Sequence, residues 1–153
     1  MKRRTESISV TAVQGFRDRC RAAGLAVTHQ RQIIFNTVYE LRSHPTPEAI
    51  YEKVREQIPS ISLGTVYKNL KTFLDTGMLR EVNPLHGSLR VDANTDDHHH
   101  LICTECHSMI DLADDDLEPA RLRRPLPQGF VLKRCAVEFY GLCLNCATQF
   151  NKS

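Results

Sequence analysis

The sequence predicts an α+β chain: an N-terminal winged helix followed by a small C-terminal α/β unit stapled by four cysteines. Three observations carry this. Four stretches with helical spacing of apolar residues fill the first 75 positions, and three of them open on a capping residue. A pair of short strand-like runs comes directly after. The rest of the chain carries two C-x2-C pairs, Cys103 with Cys106 and Cys143 with Cys146.

Thr11–Ala23 reads as the first helix, with Val13, Phe16, Cys20 and Ala23 on one face and Gly24 as its stop. Cys20 on that face reads as core filler. Thr28 caps a second helix, whose apolar positions are Ile34, Val38 and Leu41. Thr46 caps a third, with Pro47 at its first position, Glu48 at the positive end of the helix dipole, and Ile50, Val54 and Ile58 as its stripe. Ser62 caps a fourth through about Asp75, with Leu63, Val66, Leu70, Phe73 and Leu74 facing inward and Gly77 after it. Strands Leu79–Val82 and Leu89–Val91 follow, joined by the turn-rich residues 83–88. Past Val91 the polar run from Asp92 to Asp97 reads as a hinge. Strands are expected at His98–Ile102 and Met109–Leu112, a helix at Asp114–Arg124, and a strand at Phe130–Tyr140, which largely alternates. The expected division is therefore residues 1–91, a hinge at 92–97, and a second domain at 98–153.

With 153 residues, 41% of them hydrophobic, the chain builds one medium domain or two small ones. It has no apolar run of membrane-spanning length, and no apolar stretch follows the charges of its first seven residues, so a cytoplasmic location is expected. Six cysteines in that compartment read as metal ligands or reactive thiols before disulfides. Residues 1–92 carry 14 Lys and Arg against 9 Asp and Glu, a net of +5; residues 93–153 carry 6 against 9, a net of −3. The basic half suits phosphate. In a winged helix the fourth helix enters the major groove and the hairpin lies on the backbone. Its outward residues, Ser62 at the cap and then Thr65, Tyr67, Lys68, Asn69, Lys71 and Thr72, suit phosphates and base edges, although a solvated helix face has the same composition. Double-stranded DNA is the expected partner.

Two C-x2-C pairs separated by 36 residues have the spacing of a tetrahedral four-thiolate site. Four thiolates leave no open position, so Cys103, Cys106, Cys143 and Cys146 are expected to hold a structural zinc and not a catalytic one. His98 and His100 lie on one face of a strand, with Asp92 near by, and form a possible chelate; a solvated histidine cluster fits the same residues. The second domain is too small to bury a large core alone and its long strand needs a partner edge, so a homodimer is expected.

The motifs Val27-Thr28-His29-Gln30-Arg31, His44-Pro45-Thr46-Pro47-Glu48-Ala49-Ile50-Tyr51 and Ser62-Leu63-Gly64-Thr65-Val66-Tyr67-Lys68-Asn69-Leu70 stand in the first half. Asp97-His98-His99-His100-Leu101-Ile102-Cys103-Thr104-Glu105-Cys106 and Tyr140-Gly141-Leu142-Cys143 follow. Together they resemble the Fur family of metal-dependent transcriptional repressors, from about Val13 to Cys146. The resemblance implies a winged-helix DNA-binding domain, a dimerisation domain, the four-cysteine zinc site, and a regulatory Fe(II) or Mn(II) held by His44, Asp92, His98, His100 and Asp111. Spacing alone does not nominate His44 or Asp111. Asp at both carboxylate positions is similar to the peroxide-sensing branch of the family, in which a ligand histidine, here His44 or His98, is oxidised and DNA is released. Iron-uptake regulators typically carry Glu there, and zinc and manganese sensors share the architecture. The positions matching a third metal site of some members are Asp97, His99, Glu118 and Cys135, and they depart from the usual His, Asp, Glu, His. Outside the family, a zinc hydrolase built on His98, His100 and Asp92, or a zinc-stapled interaction module that does not bind DNA, are the competing readings; no catalytic residues are expected.

Overall fold

The computed structural model describes residues 8–42, 44–82, 87–112, 117 and 124–150. The chain divides between Thr95 and Asp96 into two units, each with its own architecture. In the first, helices α1 (Ile8–Ala22), α2 (His29–Leu41), α3 (Pro47–Val54) and α4 (Leu63–Asp75) precede the strands β1 (Arg80–Val82) and β2 (Arg90–Asp92). The strands pair antiparallel, with Glu81 opposite Val91. This is the helical bundle and two-stranded wing that the sequence predicts.

The capping residues start the helices as expected. Thr28, Thr46 and Ser62 are extended, and their hydroxyls accept from the backbone N–H of Arg31, Ala49 and Thr65. Pro47 stands at the start of α3, where its missing N–H costs nothing. Gly24 and Gly77 follow α1 and α4 with φ of 65° and 71°, a left-handed conformation that ends a helix without a Cβ clash. Phe16, Cys20, Ile34, Val38, Ile50, Val54, Val66, Leu70 and Phe73 are all buried in one core. Phe16, Phe35 and Phe73 meet at its centre with centroids 5.3 to 6.3 Å apart. Each such side chain, once buried, contributes about 1.5–3 kcal/mol. Leu41, Ile58 and Leu74 pack at the margin, and Leu63 is half-buried. The side chain of Val13 lies outside the described residues.

The second unit holds β3 (His99–Cys103), β4 (Met109–Leu112), β5 (Glu138–Gly141) and α5 (Leu144–Phe150). The sheet order is β4-β3-β5, antiparallel between β3 and β4 and parallel between β3 and β5. Two expectations need revision. Phe130–Tyr140 is not one long strand: only Glu138–Gly141 is strand. Alternation marks which side chains prefer burial, but a strand also needs a backbone partner. Only the end of the segment finds one, on β3; Phe130, Val131 and Leu132 stay more than half exposed. Helix α5 was not expected: its seven residues make barely two turns, too few for a periodic signal. The expected helix at Asp114–Arg124 lies almost wholly outside the described residues.

Leu101 faces Ile110 on one side and Phe139 on the other, so the register lines three apolar side chains across the sheet. All three are exposed, at 39%, 57% and 41%. They line a shallow cavity of about 220 Å³ with Tyr140 and Leu142. Among the described residues of this unit, the buried apolar side chains are only Ile102, Cys103 and Met109. No helix among the described residues is long and apolar enough to cross a membrane.

Candidate functional site

Cys103 ends β3, Cys106 lies in the turn after it, Cys143 precedes α5 and Cys146 lies in the first turn of α5. The turn closes through His107, whose N–H donates to the Cys103 carbonyl at 3.0 Å and whose φ is 58°. Thr104 N–H donates to the Gly141 carbonyl at 2.9 Å and ties the first pair to the strand that leads into the second. The result brings all four sulfurs within 4.8 Å of one another. Zn–S bonds of about 2.3 Å in a tetrahedron place sulfurs roughly 3.8 Å apart. Cys106 and Cys143 stand at 3.7 Å, and all four are free thiols, not disulfides. Backbone N–H groups of Cys106 and Cys143 directed at its sulfur bring the Cys103 thiol down to about 6. Cys106 is lowered by the Ser108 hydroxyl, 3.2 Å away. Cys146 is pushed up to about 12, first by its hydrogen bond with Cys143. The cluster stabilises some thiolates and makes others share protons, so a dication that replaces those protons fits the donor set.

Two further donor sets form, one in each unit. In the first unit His44 lies between α2 and α3 with φ of 50°, a conformation that costs an ordinary residue about 1–3 kcal/mol. The guanidinium of Arg90 donates to the His44 carbonyl at 3.0 Å, and Val91 N–H donates to the Pro45 carbonyl at 3.2 Å. These bonds hold the turn against β2. His44 Nε2 then lies 3.5 Å from Asp92 Oδ2, and both residues are buried. Asn94 N–H donates to the other Asp92 oxygen at 2.8 Å and orients the carboxylate.

In the second unit His98 Nδ1 lies 2.8 Å from the Asp96 carbonyl. A carbonyl only accepts, so Nδ1 carries the proton and Nε2 presents its lone pair. That nitrogen lies 3.7 Å from Asp111 Oδ1, and His100 Nε2 lies 3.6 Å from the same oxygen. His100 meets Asp111 because β3 and β4 pair in that register. The two imidazoles stand at 4.6 Å, edge to face. Electron-pair donors gathered around one carboxylate oxygen are an arrangement that a bound cation stabilises, and N/O donors of this kind suit Fe(II), Mn(II) or Zn(II). His99 points elsewhere: its Nδ1 accepts from Val137 N–H at 2.9 Å.

The matching positions for a third metal do not form a donor cluster among the described residues. Asp97 pairs with Arg134 at 3.6 Å, His99 is engaged as above, and Cys135 is exposed. Glu118 lies outside the described residues.

On α4 the outward residues separate by what they bond. Ser62 Oγ lies 2.9 Å from Thr65 Oγ1, the Asn69 amide donates to the Thr65 carbonyl, and the Thr72 hydroxyl donates to the Lys68 carbonyl. Those polar groups are turned back on their own helix. Tyr67, Lys68 and Lys71 are exposed, and helical spacing sets them on one face. Lys71 pairs with Asp75 one turn on, at 3.2 Å, a surface pair worth little. Tyr67 OH donates to Glu48 on α3 at 2.7 Å. Sequence reasoning missed Glu48, since 19 residues separate it from Tyr67 and no spacing rule joins them.

Comparison with known proteins points the same way. A peroxide-responsive repressor, PerR, of Staphylococcus epidermidis is 34% identical over 131 residues, 86% of this chain and 87% of its own length. The crystal structure of a peroxide stress regulator of Campylobacter jejuni is 25% identical, with a TM-score of 0.62 over 87% of this chain and 97% of that one. The Helicobacter pylori ferric uptake regulator Fur, at 20% identity, shares the fold with a TM-score of 0.68 over 96% and 97% of the two chains. The profile of the ferric uptake regulator family matches residues 22–140. With its helices, wing and cysteine cluster in place, this chain belongs to the ferric uptake regulator family.

Proposed function

We propose that the chain is a homodimeric repressor that binds duplex DNA with a divalent metal in place and lets go after peroxide. The observation that carries the reading is the pair of oriented His–Asp sets, with Asp at both carboxylate positions. The similarity to peroxide-responsive repressors supports it.

In this reading His44 and Asp92 from the first unit, and His98, His100 and Asp111 from the second, serve one ion. Ligands drawn from two units are satisfied together only in one mutual orientation, so binding selects that orientation. A hundredfold preference for it is worth about 2.7 kcal/mol. Fe(II), when bound, would activate peroxide by reducing it, which Mn(II) does far less readily; overall one peroxide oxygen would enter a ring C–H bond and the other would leave as water. His44 and His98 are the side chains on which the added oxygen is expected. An oxidised ring is a different donor, and the selected orientation is lost with it.

Cys103, Cys106, Cys143 and Cys146 hold a structural Zn(II) and do not sense. The exposed row of Leu101, Ile110 and Phe139, on a sheet with no further strand at either edge among the described residues, suits a second copy of the chain. Tyr67, Lys68 and Lys71 of α4 face the major groove, Ser62, Thr65 and Asn69 lie along its flank, and the β1–β2 wing rests on the backbone.

A binding selection tests the reading. The Zn(II)-loaded chain is incubated with random duplex DNA, with Mn(II) or with a chelator. Retention of one sequence class only with Mn(II), with affinity falling steeply as salt rises, supports it. Equal retention with and without Mn(II) contradicts it.

A further inference from the structure

Tyr67 is the one aromatic residue on the exposed face of α4, and it is 40% exposed. Its hydroxyl is nonetheless engaged, donating to Glu48 Oε1 at 2.7 Å. Glu48 sits in the first turn of α3, next to Pro47, and is itself exposed. An acidic residue beside a surface meant for phosphate opposes nonspecific binding. It therefore calls for a role of its own.

A phenol has one proton and two lone pairs. Because the proton goes to Glu48, the oxygen faces outward as an acceptor only. Phosphate oxygens are acceptors, and so are guanine N7 and O6, adenine N7 and thymine O4. The groove-edge donors are the amino groups at adenine N6 and cytosine N4. We propose that Glu48 is a positioning residue for DNA recognition, which holds the Tyr67 hydroxyl so that its oxygen accepts from an adenine or cytosine amino group. This rests on the DNA-binding reading above.

The bond also leaves a mark that needs no DNA. It holds the Glu48 carboxyl below the usual range, and it raises Tyr67 above the ordinary phenol value. Both shifts have the Tyr67–Glu48 hydrogen bond as their first cause.

The test uses the full chain loaded with Zn(II) and Mn(II). Duplex libraries are selected with the wild type, Glu48→Ala, Glu48→Gln, Tyr67→Phe and the Glu48→Ala/Tyr67→Phe double variant. The wild type is expected to show one position preferring adenine or cytosine about fivefold, the value of a single hydrogen bond. Glu48→Ala and Tyr67→Phe should each abolish that preference, and the double variant should be no worse than either. Glu48→Gln should restore it, because the amide oxygen accepts the same bond. Ultraviolet titration without DNA should show the Tyr67 phenolate forming at lower pH in Glu48→Ala. A Glu48→Ala chain that keeps the preference lost in Tyr67→Phe overturns the inference while DNA binding stands. So does a Tyr67 titration unchanged by Glu48→Ala. A wild type that selects no duplex overturns the DNA reading and this inference with it.

Discussion

Cys103 and Asp92 are both buried metal-site candidates, yet their removal is expected to do different things. Replacing Cys103 with Ser takes away one of four clustered sulfurs. A structural zinc contributes roughly 10–16 kcal/mol, all of it folding energy. The variant is expected to lose zinc and either unfold or dissociate, as read by zinc content and sedimentation. Asp92→Ala keeps the cysteine cluster and loses one carboxylate of the His44 set. It is expected to stay a zinc-bound dimer whose DNA binding no longer responds to Mn(II). Identical behaviour of the two variants would show that the division between structural and sensing ligands is wrong. At this scale the sequence was legible where ligands lie close together. C-x2-C spacing and the His98–His100 pair are local patterns. His44 is brought to Asp92 by a strained turn tied to β2, and Asp111 meets His100 through strand register. Neither relation has a local signature, so family resemblance was the only route to both.

Element by element, the first unit follows its sequence closely. Thr28, Thr46 and Ser62 cap where the pattern places them, because a side-chain hydroxyl at that position satisfies a backbone N–H that has no partner within the helix. Thr46→Ala is expected to cost about 1 kcal/mol, measured by denaturant unfolding of the zinc-loaded chain. Leu70→Ala, in the middle of the buried face of α4, should cost about 2–5 kcal/mol by leaving a cavity. A cost for Leu70→Ala no larger than for Thr46→Ala would contradict the assignment of that face to the core. The second unit was read less well. Its sheet is completed by a parallel pairing of β3 with β5, which no short-range pattern announces. Phe130–Tyr140 largely alternates like a strand, but among the described residues only its end, from Glu138, pairs with another strand. Helix α5 begins directly after Cys143 and carries Cys146 in its first turn, and its seven residues are too few to show a period.

For the whole molecule, the first 92 residues carry the net positive charge and the remainder the net negative charge. That asymmetry suits the proposed division, in which the first unit meets phosphate and the second carries the four-cysteine cluster and the surface for a second copy. The apolar row of Leu101, Ile110 and Phe139 predicts that Ile110→Glu weakens self-association without disturbing the zinc, read by light scattering and metal content. The central claim is that iron makes the His–Asp ligands peroxide-sensitive and that their oxidation releases DNA. The direct measurement compares Fe(II)- and Mn(II)-loaded protein bound to its selected duplex, each given low peroxide. The peptides carrying His44 and His98 are then weighed. A gain of about 16 Da, one oxygen, is predicted on one or both peptides with Fe(II) alone, together with loss of DNA binding. Unchanged peptides with retained DNA, or the same gain with Mn(II), would contradict it.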